Sequence, residues 1–278
     1  METESLLERE RRLGRPAAAA AMGAVVALVV GTVLQASAAR DLPKRHDPHR
    51  HAKSLIEFKQ HAGADLGGRV AAAVAAFLVL AALLYLYRCA RGRRPETPTW
   101  IVPILIVTPV LVLAGGLITH FQLLHTANDF LASGPRTDRR AKHLTDSLTP
   151  IGQPFSLAGS LASGLSFVLV SMNAMRAGLL TRFLGILGVI AGVLFVLGFP
   201  PIVEMFWLVT IGALFLGYWP GGRGPAWESG RAEPWPTAAE LRAAEEKEEP
   251  AAPEPEQQPA EPVGGSGRTR KRKRKRRR

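Results

Sequence analysis

The stretch RVAAAVAAFLVLAALLYLYRCARGRR, residues 69–94, holds eighteen consecutive uncharged residues, 70–87, and then a dense group of arginines. A helix of about 18–20 residues crosses a hydrocarbon layer of ~30 Å. Apolar length of this kind, closed by aromatics and cations, marks a membrane crossing rather than a soluble core. The pattern recurs. Uncharged runs cover residues 17–39, 70–87, 97–119, 147–175, 183–203 and 205–222. Backbone amides in hydrocarbon must be satisfied within the segment, and no alternation of barrel-strand type is present, so the runs predict helices.

The expected fold class is all-α: a polytopic transmembrane bundle of six helices with a disordered cytoplasmic C-terminal tail. Four regions follow: a basic cytoplasmic N-terminus (1–16), a transmembrane domain (17–222), an acidic linker rich in Pro, Glu and Ala (223–267), and a polybasic tail (268–278). Between the fifth and sixth runs only Glu204 and Pro200-Pro201 intervene. A tight re-entry is expected there, because two prolines end a helix and an unbroken span would overshoot the bilayer. The first run has a second reading as a signal peptide, since RERRLGRP precedes it and Ala36-Ser37-Ala38 resembles a cleavage site. Its length favours a retained span.

Basic residues in short loops stay cytoplasmic. Lys and Arg number four in 1–16, four in 88–94 and fourteen after residue 220, with none in 199–204. Six crossings with both termini inside satisfy this distribution; only the loop 40–69, with seven basic residues diluted by acids, opposes it. Tyr85, Tyr87, Trp100, Tyr218 and Trp219 are expected at the inner interface and Trp207 at the outer one. The single cysteine, Cys89, excludes an intramolecular disulfide.

Small residues four apart let transmembrane helices approach closely. Gly159 with Ser163, Ser160 with Gly164, and Gly188 with Gly192 have this spacing. They predict packing seams, with a serine-lined groove as the alternative. Ionisable residues are expected to be missing from the spans, His120 and Glu204 lying at their outer edges, which argues against a proton relay.

All seven histidines fall in, or border, the two outer loops. In RHDPHRH, residues 45–51, His46, His49 and His51 surround Asp47, a donor set suited to a divalent metal. External pH response and a plain solvated loop are the alternatives. Ser54 with Glu57 predicts the capped start of a short interfacial helix. His125 with Asp129, and His143 with Asp146, are spaced to share helix faces. No P-loop, HExxH, nucleophile elbow or CxxC is present, so no enzyme and no cofactor beyond that metal are expected.

Residues 171–197, SMNAMRAGLLTRFLGILGVIAGVLFVL, together with FWLVTIGALFLG (206–217) and WPGGRGPAWESG (219–230), resemble a conserved family of multi-spanning membrane proteins of high-GC bacteria, a domain of unknown function. The resemblance implies the bacterial cytoplasmic membrane and six helices. It transfers no catalytic residue.

The tail carries Arg268, Arg270, Lys271, Arg272, Lys273, Arg274, Lys275, Arg276, Arg277 and Arg278, with only Thr269 between them. Near an anionic leaflet each such residue contributes up to about 1 kcal/mol. Membrane lipids are the expected partner, and RNA or DNA a non-specific one, because no aromatic is interleaved for base stacking. The leading functional expectation is a non-enzymatic scaffold, sensor or envelope component; a permease for a small neutral or weakly polar solute is the alternative. Replacing the ten basic residues of 268–278 by Ser is expected to reduce binding of anionic vesicles or RNA to the detergent-purified full chain. Undiminished binding would remove the tail from that role.

Overall fold

The computed structural model describes residues 2–40, 43, 47–219, 223–233 and 235, with side chains from Leu7 onward. The polybasic tail, most of the acidic linker and His46 lie outside the described residues. Those described form helices and connections without a strand: α1 (Glu2–Ala39), α2 (Arg50–Gln60), α3 (Ala62–Arg93), α4 (Ile101–Ala132), α5 (Asp138–Asp146), α6 (Gly152–Arg176), α7 (Arg182–Val196), α8 (Ile202–Leu216) and α9 (Pro225–Ser229).

The protein is therefore all-helical, and four of its helices, α1, α3, α4 and α6, are long and apolar enough to cross a membrane. The fifth and sixth apolar runs form shorter helices than expected, fifteen residues each. At 1.5 Å per residue these extend about 22 Å, less than a full hydrocarbon layer. The shortening has a local cause. Gly198 adopts φ 74°, and α7 closes through Phe199 N to Leu194 O and Gly198 N to Phe195 O. This left-handed closure stops the helix before the prolines are reached. The same closure at Gly178 ends α6 and starts the turn into α7.

Close approach holds the bundle together. A Cβ at Gly115 would fall 2.6 Å from Ser156 N, fixing α4 against α6, and one at Gly164 would fall 2.5 Å from Gly192 O, fixing α6 against α7. Gly159 lies against Val112, and Gly188 against Ser171 and Trp207. Along α1, Ala17, Ala18, Ala21 and Ala24 are buried in the main core with Ala82 and Leu86 of α3. Apolar helix faces gain nothing by leaving lipid for one another, so shape complementarity of this kind supplies the association energy.

One end of the bundle gathers the start of α1, the end of α3, the α6–α7 turn, the end of α8 and α9. Arg93 is its centre. The guanidinium is fully buried and donates to the Glu10 carboxylate through Nη1 at 2.5 Å and Nη2 at 2.9 Å. It also donates through Nε to Ala226 O at 2.8 Å and through Nη1 to Cys89 O at 3.0 Å. The Trp227 ring lies 5.4 Å from its Cζ, and the indole N–H donates to Leu179 O at 2.9 Å. Tyr85 Oη donates to Glu10 O at 3.0 Å. The helix α1 runs unbroken through Pro16, so residues 7–16 belong to the folded bundle rather than to a separate arm.

At the opposite end α2, α5 and the end of α4 form a small cap with its own core of Ala52, Leu55, Ala127, Phe130 and Ala141. The connections from α1 to α3 and from α4 to α6 thus meet. Here the sequence expectation of a capping box at Ser54 is corrected: α2 starts at Arg50, and Ser54 Oγ instead donates to Arg50 O at 2.7 Å. Its N-terminal amides, His51 N and Ala52 N, are capped by Asp138 Oδ1 from α5, at 2.8 and 3.0 Å. A carboxylate from a distant helix does the work assigned to a local serine.

The aromatic assignments are also corrected. Tyr85, Tyr87 and Trp207 are buried, with Tyr87 Oη donating to Pro98 O at 3.0 Å and Trp207 Nε1 to Leu184 O at 2.9 Å. Their polar atoms find internal carbonyls, so the rings fill the core instead of standing at the lipid surface. Trp100 and Tyr218 are exposed.

Removing either partner of a buried ion pair strands the other. Arg93→Ala or Glu10→Ala is expected to destabilise the protein by about 3–5 kcal/mol, and Glu10→Leu with Arg93→Met together by much less. Denaturant unfolding in detergent measures all three; a double variant as unstable as either single one would contradict the pairing.

Candidate intramembrane site

Glu204 stands in the first turn of α8 and is 5% exposed. Its Oε2 atom is buried and has no hydrogen-bond partner among the described residues. The side chain helps line a cavity of about 110 Å³, together with Leu28, Val79, Thr108, Ser163, Ser166, Phe167 and Phe195, among others.

These wall residues define its depth. Leu28, Val79 and Thr108 lie at or beside the centres of the uncharged runs 17–39, 70–87 and 97–119. Glu204 is therefore a mid-bundle group, which corrects its assignment to the outer edge of the spans. The cause is the length of α7 and α8. The early closure at Gly198 draws the α7–α8 turn inward, and the first turn of α8 travels with it. Gly198 beside Pro200-Pro201 was the sequence signal for this shortening. Leu197, Phe199, Ile202 and Phe206 around the turn are exposed apolar residues.

The hydroxyls in the wall define its chemistry. Thr108 Oγ1 donates to Ile104 O at 2.8 Å and Ser166 Oγ to Ala162 O at 2.7 Å. Their protons are thereby occupied, and their lone pairs remain for a ligand. With the Glu204 carboxyl they make an oxygen-rich acceptor wall on an apolar floor. An isolated carboxylate in such surroundings is costly unless a positive or donor group meets it. Size restricts the partner further: at about 30 Å³ per water, the cavity holds three or four waters' worth of ligand, and typical drug-sized sites are several times larger.

Of the small residues singled out in the sequence, Ser163 borders this cavity, whereas Gly159, Gly164, Gly188 and Gly192 lie at the helix contacts described above. Ser160 is half-buried on α6.

Of the expected donor set His46, Asp47, His49 and His51, the last three lie among the described residues. Asp47 accepts Lys53 Nζ at 2.6 Å and His49 N at 2.8 Å, interactions that hold its carboxyl below the usual carboxylate range, Lys53 contributing most. His49 stands at the N-terminal boundary of α2 and His51 within its first turn. Among the described residues no group of three or more His, Cys, Asp or Glu side chains is placed to hold a metal ion. His51 and His61 border a groove of about 680 Å³ that also includes Arg50 and Asp65. His125 pairs with Asp129 at 3.3 Å on the surface of α4, while His143 and Asp146 form no ion pair.

A polar cluster that spacing did not reveal joins α3 to α4. Asp65 Oδ2 meets Arg69 Nε and the His120 ring Nδ1, both at 2.7 Å, and His120 is 2% exposed with Phe58 5.7 Å from its ring. Asp65 and Arg69 are four apart and legible as a helical pair. Their partner fifty-five residues away is not.

No protein-family model matches the chain, no curated protein matches it, and no solved structure matches it. The function is accordingly argued from the chemistry of the site itself.

An unpartnered buried carboxyl makes its own mark on stability. Glu204→Leu is expected to raise the unfolding midpoint of the ligand-free protein in detergent, corresponding to about 1–3 kcal/mol, because an apolar side chain removes an unmet hydrogen-bond demand. A fall in the midpoint would mean that Glu204 has a structural partner.

Proposed function

We propose that this chain is a multi-pass protein of the bacterial cytoplasmic membrane that binds a small cation midway through the bilayer and carries it across. The ligand class is an alkali ion or a protonated amine of a few heavy atoms. The observation that supports this reading is the Glu204 carboxyl, unpartnered inside a hydroxyl-bearing cavity at the centre of the bundle. An ionisable group at that depth is costly and therefore marks a functional position. It moves the preference away from a scaffold, and away from a neutral solute as the transported species.

Six membrane-embedded helices, four of them full crossings, with both termini in the cytoplasm complete the proposal. In support, the start of α1 and the end of α3 meet at one end with the α6–α7 turn and the end of α8, while α2, α5 and the Asp65–His120 cluster occupy the other. Neighbouring apolar helices thus alternate in direction. The short α7 and α8 enter from one side as a hairpin and return to it, their turn lying within the lipid. The polybasic residues 268–278 then face the anionic inner leaflet, where lipid attraction holds them.

The test is ligand-dependent stabilisation, followed by flux. With the purified full chain, Na⁺, K⁺ and methylammonium are each titrated while the unfolding midpoint is recorded. A ligand at a hundred times its dissociation constant stabilises by about 2.7 kcal/mol. The expected outcome is a shift with at least one of the three that Glu204→Gln abolishes, and matching uptake into proteoliposomes that the same variant loses. A shift unchanged by Glu204→Gln, or no shift with any of the three, overturns the proposal.

A further inference from the structure

The cytoplasmic end carries a second, larger concavity. A groove of about 1070 Å³ lies between α1 and α3, bordered by Arg9, Leu13 and Ala17 on one side and Ala81, Leu84, Arg88 and Arg91 on the other, with Val102 of α4 adding to its wall. On α1 the residues 9, 13 and 17 are spaced by four; on α3 the residues 81, 84, 88 and 91 are spaced by three or four. Each set is one helix face.

Both faces run from cation to apolar in the same direction. Because α1 begins where α3 ends, Arg9 and the pair Arg88 and Arg91 stand together at the mouth, while Ala17 and Ala81 lie deeper toward the hydrocarbon. Arg9, Arg88 and Arg91 are exposed and form no ion pair among the described residues. The one acid in the groove, Glu10, is already neutralised by the buried Arg93. The mouth therefore keeps an uncompensated positive charge above an apolar slot.

We infer that this groove binds one anionic phospholipid, its phosphate held by Arg9, Arg88 and Arg91 and the upper part of an acyl chain lying along Leu13, Ala17, Ala81 and Leu84. Guanidinium groups suit phosphate by geometry as well as charge. The graded slot distinguishes a lipid from a free anion, which would have no use for the apolar walls. The site is independent of the cavity at Glu204 and of the basic C-terminal residues. A lipid wedged between α1 and α3 would bridge the two helices that the Glu10–Arg93 pair clasps.

Native mass spectrometry of the full chain, purified in mild detergent and supplied with phosphatidylglycerol or phosphatidylcholine, reads the occupancy directly. One tightly retained phosphatidylglycerol per chain is expected, with phosphatidylcholine lost. The triple variant Arg9→Gln, Arg88→Gln, Arg91→Gln is expected to weaken that retention at least about tenfold, with an unchanged unfolding midpoint because all three side chains are exposed. Replacing the basic residues of 268–278 by Ser should leave it intact. The assignment is overturned if the triple variant retains the lipid, if only the C-terminal replacement removes it, if phosphatidylcholine is held equally well, or if excess inorganic phosphate displaces it.

Discussion

A polypeptide in hydrocarbon has to satisfy every backbone amide within itself, and it receives no hydrophobic reward for bringing one apolar helix to another. Both halves of that constraint are visible here. Helices account for the apolar segments, and the contacts between them are made where side chains are small enough for backbones to touch. Gly115 against Ser156, and Gly164 against Gly192, leave no space for a Cβ. The directional interactions are concentrated toward the ends, where polar groups retain access to water or to one another.

Those ends are built differently. At one, Arg93 and Glu10 form an ion pair with no appreciable solvent exposure of the guanidinium, supported by carbonyls of Cys89 and Ala226 and by the Trp227 ring. Every donor bond of that kind offsets desolvation, and together they connect α1, α3 and α9. At the other, Asp138 caps α2 and Asp65 joins Arg69 to His120. Between the two, Glu204 is the contrasting case: a carboxyl with an oxygen that no group among the described residues meets. Glu10 and Asp65, by contrast, are met by Arg93 and by Arg69 and His120, and the small cation proposed for Glu204 is the partner that its surroundings lack.

Much of this was legible in the linear pattern, because helix length in lipid is set by a fixed thickness and charge cannot be hidden along a single segment. The glycine pairs could be located from their spacing. The re-entry near Pro200-Pro201 could be located too, but not its depth, since an uncharged run does not reveal where the helix inside it stops. Residues 183–203 read as one full crossing, whereas Gly198 ends α7 after Val196. That difference alone moved Glu204 from an edge to the middle. The tyrosines misled for a related reason: Tyr85 and Tyr87 have the composition of an interfacial belt, and only the nearby Glu10 and Pro98 carbonyls show that their hydroxyls are satisfied internally.

The sequence by itself determined the all-helical class of this protein, its long apolar helices and the places where its chain turns, because hydropathy, proline and glycine act locally. Tertiary structure decided which polar groups meet. Arg93 finds Glu10 eighty-three positions away, His120 finds Asp65 across fifty-five, and Glu204 finds no partner for its buried oxygen among the described residues. Such pairings depend on the rotation and depth of whole helices relative to one another. Those are settled by the shape of their packed faces, which a linear pattern of apolar residues does not encode.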